Sequence, residues 1–322
     1  MSEKKKKPKV RKSAVRILSG IAVIVGMIIV SNNIIRDTSK VSTEGITEYI
    51  GNFVSKTNPP TIPNTIKYTD KENMLSEVED SRFSGYKEGK ISSDQLSEGL
   101  LVLADETHPI SIGDNKTMVK LSDFRNEYYT VNGGEIMLNE EAAESLNLLM
   151  ADYKEETNLC DFVVYGTTDT YTDAGSYCPR YFPERATGNT IDLALIAYGE
   201  YLAFDGLDEE SWIIDNCSKY GFVLTCPEGR GDDADYCPWH FRYVGKLNAS
   251  IMSAKNMGID EYVEFLKTYT VDSPYTHKMN GSTYLVYTVK SEGETTTAKL
   301  PANGNYEISG DNKDTYIISF KR

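Results

Sequence analysis

The chain has 322 residues, 40% of them hydrophobic, and a formal net charge of −14. That is enough apolar material for a sizeable core in one or two domains. Residues 1–16 hold eight Lys or Arg against one Glu, a surplus of +7 that leaves the rest of the chain at about −21, which argues against nucleic-acid binding by the main body.

The basic segment reads as a cytoplasmic stub, and Ile17 to Ile35 follows it as the one long apolar stretch. Nineteen residues at about 1.5 Å each span about 28 Å, close to the hydrocarbon thickness of a bilayer. The basic flank predicts an N-terminus inside, with everything after Arg36 extracytoplasmic. No Ala-x-Ala-like cleavage site follows, so an uncleaved single-pass anchor in the cell membrane is favoured over a signal peptide. Residues 36–94 are expected to be a polar linker, broken by Asn58-Pro59-Pro60 and Pro63. Residues 67–94 within it are charged and mixed, and no element is assigned to them.

A folded domain is expected over residues 95–270. Gly99–Leu103 predicts an apolar strand. Asn139 suits an N-cap, with Glu140 and Glu141 in the first helical turn, and Ala142, Leu146, Leu149, Met150 and Tyr153 recur at helical spacing. Asp161–Tyr165 and Ile191–Tyr198 predict strands. Asp208 is placed as the cap of a helix that stacks Trp212, Asn216 and Tyr220 and ends at Gly221, and a strand runs on from Phe222 to Cys226. Gly258–Tyr269 is expected to be helical. Beyond Pro274, three β-rich pieces (Tyr284–Lys290, Thr295–Leu300, Thr315–Phe320) predict a small C-terminal β extension over residues 271–322. Helices and strands mix without strict alternation, so the fold class is α+β.

The stretch Tyr236-Cys237-Pro238-Trp239-His240-Phe241-Arg242-Tyr243-Val244-Gly245 holds one of three histidines. Read as a strand, it puts His240 and Arg242 on one face and Trp239, Phe241 and Tyr243 on the other, buried face. Five cysteines (Cys160, Cys178, Cys217, Cys226, Cys237) lie beyond the anchor, where disulfides can persist. Cys226 and Cys237 flank a turn and are the first candidate bridge, Cys160 with Cys178 the second, and Cys217 falls in a helix. Cys237 with His240 has the Cys-x-x-His spacing of a zinc site that Asp192 could complete, or of a nucleophile with its base. His108 and His277 read as ordinary turn or surface residues. No phosphate-binding glycine loop is present.

The run Pro238-Trp239-His240-Phe241-Arg242-Tyr243-Val244-Gly245, preceded by Trp212, Asn216 and Tyr220-Gly221-Phe222, resembles the second half of the zinc D-alanyl-D-alanine carboxypeptidases of the VanY type. Thr187-Gly188-Asn189-Thr190-Ile191-Asp192 resembles the end of that family's Ser-x-His-x-x-Gly-x-x-x-Asp motif. The resemblance covers roughly residues 95–270. It implies a D,D-carboxypeptidase-like (LAS) domain, with Asp192 and His240 at two metal-ligand positions. The first ligand His falls on Arg185, the catalytic Glu on Cys237, and the substrate-steadying Arg on Thr168, so the family's chemistry is lost at three positions. Arginine stays protonated and offers no lone pair to a metal. Asp192 interrupts an apolar run, where a carboxylate needs a partner. Arg185, seven positions upstream, is the expected one, filling the space where the family holds zinc.

From the resemblance follow three expectations. The first is a catalytically impaired protein of the bacterial cell wall that binds peptidoglycan stem peptide or a protein partner through a cleft around Arg185, Asp192, Trp239, His240 and Arg242. The second is an active zinc peptidase that trims terminal D-Ala with a rebuilt metal site. The third is an envelope scaffold acting through its C-terminal extension.

Overall fold

A computed structural model describes residues 84–104, 109–110, 118–133, 135–166, 183–197, 199–226 and 236–322. The expected anchor, most of the linker, Thr168, His108 and Cys178 lie outside these residues. Among the described residues no helix is long and apolar enough to cross a membrane.

In chain order the strands are β1 (Tyr86–Ser92), β2 (Met118–Lys120), β3 (Thr130–Val131), β4 (Met137–Asn139), β5 (Phe162–Gly166), β6 (Thr190–Ala197), β7 (Glu200–Ala203), β8 (Phe222–Leu224) and β9 (His240–Tyr243), followed by β10 (Tyr275–Met279), β11 (Ser282–Lys290), β12 (Thr295–Pro301), β13 (Glu307–Gly310) and β14 (Thr315–Lys321). The α-helices are α1 (Leu121–Phe124), α2 (Glu140–Thr157), α3 (Ser211–Asn216), α4 (Lys246–Lys255) and α5 (Ile259–Leu266). The class is mixed α and β, as expected.

The central sheet runs β3-β5-β6-β9-β8, with β7 also on β6; β3 and β5 are parallel and the other pairs antiparallel. β6 is the middle strand because its run Ile191–Leu195 is buried on both faces. Helix α2 packs along this sheet through Leu146, Leu149, Met150 and Tyr153, in one core with Phe162, Leu193, Phe222 and Phe241. Its start is as expected: Asn139 Oδ1 accepts from the Glu141 amide at 3.0 Å. Asn158 ends it in the left-handed conformation, at φ 61°.

Three expectations need correction. Gly99–Leu103 forms no strand: it passes through a bend and a turn from the exposed Gly99 to the buried Leu101–Leu103, and much of its backbone bonds side chains, the Leu101 amide donating to Ser309 Oγ while Leu100 and Val102 offer their carbonyls to Arg242. The helix placed from Asp208 breaks into a 3-10 turn (Asp208–Glu210), α3, and a second 3-10 turn (Cys217–Tyr220) that Gly221 closes at φ 88°. Asp208 itself sits at φ 55° and is not the cap. The linker does not run to residue 94, since β1 pairs antiparallel with β12 along its whole length.

The C-terminal strands form as expected, with β10 and β13 added to make the sheet β10-β11-β14-β13. This extension shares a core with the central domain. Val286 and Ile317 pack in one cluster with Leu101, Leu103, Val223 and Val244, under α4 and α5.

Candidate functional site

The site is assembled on β6 and β9, whose register sets Asp192 opposite His240 and Thr190 opposite Arg242. Directly opposed residues of antiparallel strands share a face, so all four side chains project to the same side. A 3-10 turn, Pro183–Thr187, brings Glu184 and Arg185 above that face. Thr187 braces the turn: its hydroxyl donates to the Glu184 carbonyl at 2.8 Å and accepts from the Asn189 amide at 3.2 Å. On the other edge of β6, Gly166 sits opposite Asp192 at a bulge in β5. A Cβ at Gly166 would lie 2.9 Å from Asp192 Oδ2, so the absence of a side chain there makes room for the carboxylate.

The five side chains form one continuous buried network. Arg185 Nη2 donates to Asp192 Oδ2 at 2.5 Å. His240 Nδ1 meets Asp192 Oδ1 at 2.5 Å, and His240 Nε2 meets Glu184 Oε1 at 3.0 Å. Arg242 Nη1 donates to Glu184 Oε2 at 3.1 Å, while its Nη2 donates to the carbonyls of Leu100 at 3.2 Å and Val102 at 2.6 Å. His240 is 0% exposed, Arg242 1%, Asp192 2%, Arg185 6% and Glu184 9%.

Burial by itself would lower the His240 pKa, but the carboxylates of Asp192 and then Glu184 outweigh it and hold the imidazole up at about 9. Burial would likewise raise Glu184, and the hydrogen bond and charge of His240, with Arg242 behind it, pull it down to about 2. With a carboxylate on each ring nitrogen, His240 is an imidazolium. Three cations therefore face two carboxylates in a space closed to water.

The linked pH dependence follows. His240 is raised from its ordinary 6.5, so its contribution is full below about 6.5 and lost as pH rises through about 9. Glu184 is lowered from 4.5, so its contribution is full above 4.5 and lost as pH falls through about 2. The two shifts share the His240–Glu184 contact and are not added; each corresponds to about 3 kcal/mol. The unfolding free energy from urea titration is expected to be highest between about pH 4.5 and 6.5 and to fall by about 3 kcal/mol by pH 9.5. In His240→Gln the alkaline decline should be absent; an equal decline in that variant would place the titrating group elsewhere.

The expected Arg185–Asp192 pair is present, in the position the resemblance gives to the metal. A zinc ion needs donors with a free lone pair. Arg185 has none, both Asp192 oxygens and both His240 ring nitrogens are engaged, and among the described residues no three His, Cys, Asp or Glu converge on a point that could hold a metal. The described residues, as arranged here, do not fit zinc: Asp192 and His240 are partners in an ion network. The same engagement of both nitrogens prevents His240 from serving as a base for Cys237.

The residues expected to line a cleft are brought together but buried. Trp239 is 8% exposed, packs in the central core and lies 5.8 Å from the His240 ring. The alternation expected for β9 holds, but its polar face is as buried as its aromatic one. Glu184 was not anticipated. The available signal was its position beside Arg185, together with the anion that His240 and Arg242 would need once Arg185 had taken Asp192. Cys226 and Cys237 do not form the expected bridge, Cys160 and Cys217 are likewise in no disulfide, and the candidate partner of Cys160, Cys178, falls outside the described residues. His277, read as an ordinary residue, accepts or donates one bond with Ser250 Oγ at 2.9 Å.

Comparison with known proteins places this arrangement. Residues 176–246 match the family model of the VanY D-alanyl-D-alanine carboxypeptidases. The chain is 28% identical over 247 residues to a D-alanyl-D-alanine carboxypeptidase of Enterococcus faecium, covering 72% of this chain and 78% of the relative. It is 39% identical over 50 residues to the bifunctional D-Ala-D-Ala dipeptidase and carboxypeptidase VanXYC of Enterococcus gallinarum, covering 15% of this chain and 26% of that one. The fold matches the vancomycin-resistance D,D-dipeptidase VanXYg, solved with a D-Ala-D-Ala phosphinate analogue, at a TM-score of 0.61 and 22% identity over 74% of this chain and 99% of that structure. The family that the Pro-Trp-His run resembles is thus the one whose model and relatives this chain matches, the D-alanyl-D-alanine carboxypeptidases of the VanY type.

Proposed function

We propose that this chain is a membrane-anchored, extracytoplasmic D-alanyl-D-alanine carboxypeptidase-like protein of the bacterial cell wall that binds peptidoglycan stem peptide without hydrolysing it. The observation that carries this reading is the Arg185 guanidinium seated on Asp192. It replaces a metal ligand by a group that cannot be one, and supplies in place the positive charge a metal would bring. The ligand class is carried over from the relatives, which are carboxypeptidases and dipeptidases acting on D-Ala-D-Ala. The buried network then serves as a rigid floor: it fixes β6, β9 and the 183–187 turn without itself touching peptide.

The test is zinc content and turnover of the full chain, purified without chelator. Elemental analysis is expected to find well under one zinc per chain, and a peptide ending in D-Ala-D-Ala should bind by calorimetry while releasing no D-Ala. One zinc per chain, lost in His240→Ala and accompanied by D-Ala release, would sink the reading and restore an active peptidase. Absence of any heat with the peptide would remove the stem peptide as ligand.

A further inference from the structure

We propose that Cys226 and Cys237 form a thiol–disulfide exchange site, in which Cys226 attacks a small incoming disulfide and Cys237 resolves the adduct. The inference stands apart from the peptide-binding reading and uses none of its assumptions.

The geometry comes from an irregularity at the end of the β8–β9 ladder. The register Phe222–Tyr243, Val223–Arg242, Leu224–Phe241 would, if continued, bring Cys226 opposite Trp239. Instead Pro238 and Trp239 are taken up in a turn, closed by the His240 amide donating to the Cys237 carbonyl at 3.2 Å. Cys237 is thereby delivered to Cys226, and its amide donates to the Cys226 carbonyl at 3.1 Å. Opposed residues of an antiparallel pair have Cα atoms about 4.5–5.5 Å apart, inside the range of about 4.4–6.8 Å that a disulfide spans. That backbone bond makes the two cysteines immediate neighbours. Cα atoms at such a separation can be bridged, yet neither cysteine is in a disulfide.

The pair is asymmetric in the way exchange requires. Cys226 is half-buried and Cys237 is 3% exposed, so an incoming disulfide reaches Cys226 first. The adjacent Cys237 thiol pulls the Cys226 thiol down to about 6, against its burial, and the imidazolium of His240 adds to the effect. Cys217 shows the contrast: buried, with its thiol bonded to the Ile214 carbonyl at 3.4 Å, it is pushed up to about 12 and is inert.

The chemistry balances within these groups. The Cys226 thiolate attacks one sulfur of R–S–S–R; the S–S bond breaks, a Cys226–S–S–R mixed disulfide forms, and RS⁻ leaves and takes up a proton. Cys237, giving up its own proton, attacks the Cys226 sulfur and expels the second RS⁻. Two cysteine thiols are oxidised, one external disulfide is reduced to two thiols, and both protons end on the released thiols. Partial burial of Cys226 selects small disulfides over those held in a protein.

The full chain is to be equilibrated with a series of oxidised-to-reduced glutathione ratios, alkylated and mapped by mass spectrometry. In the wild type a peptide pair linked through Cys226 and Cys237 should appear as the ratio rises and disappear on adding reduced glutathione. Cys237→Ser should accumulate glutathione on Cys226, and Cys226→Ser should take up glutathione at position 237 at least tenfold more slowly. Near-UV spectra and urea midpoints establish that each variant is folded, with Cys226→Ala and Cys237→Ala as alternatives should a serine variant fail. Both thiols remaining open to alkylation at the most oxidising ratio, or Cys226 linking instead to the exposed Cys160, would overturn the proposal.

Discussion

Arg242→Ala is expected to lose about 5 kcal/mol of folding stability or more, enough to leave little folded protein at 37 °C. Three costs fall on one substitution. Arg242 is among the largest fully buried side chains, so its removal opens a cavity on the polar face of β9. Glu184 keeps His240 but loses its guanidinium partner. The carbonyls of Leu100 and Val102 lose the donor that substitutes for strand pairing in that segment. Urea unfolding of Arg242→Ala and Arg242→Met separates these effects. Methionine restores most of the volume, so the difference between the variants is the cavity and the remainder is the unpaired polar groups. A loss below about 1 kcal/mol in the alanine variant would show that the network contributes little to holding the 100–102 segment on the sheet.

The second large effect is expected at Arg185. Removing one partner of a buried ion pair typically costs about 3–5 kcal/mol, because the remaining charge stays in low dielectric. Arg185→Met leaves Asp192 with His240 alone. The distinguishing measurement is the double variant Arg185→Met with Asp192→Asn. If the penalty of the single change is a stranded carboxylate, the second change should recover about half of it or more, a coupling that independent surface sites would not show. Strictly additive losses in the cycle would mean that Arg185 acts through packing alone.

The Arg185–Asp192 contact was legible because a carboxylate inside Ile191–Ala197 demands a partner and few cations are near it in the chain. Glu184 was not legible by the same route. His240 and Arg242 looked like a polar face that could meet water, so no anion was sought for them. Buried faces of both kinds look alike in an alternating strand; only the number of charges that must be neutralised distinguishes them. The register of β6 on β9 was equally out of reach, since it depends on which residues the 183–187 turn leaves for pairing. The C-terminal strands were legible from their alternation, but β1 was not: Tyr86-Lys87-Glu88-Gly89-Lys90 is charged, and its partner strand lies at the other end of the chain. Tertiary pairing, rather than intrinsic propensity, makes it a strand.

That pairing has a consequence for how the protein is made. β1 meets β12 more than two hundred positions later, and the Leu101 amide waits for Ser309. A chain emerging N-terminus first therefore carries β1 unpaired until β12 has been synthesised. Contacts of such long range slow folding, because the closure of the intervening chain must precede any gain from them. The last strands complete the β1–β12 pair and the C-terminal sheet, and Ser309 on β13 holds the segment whose carbonyls Arg242 binds. A C-terminal truncation should thus fail early in biogenesis, through exposure of β1 and of the shared core beneath α4 and α5, rather than yield a smaller folded protein.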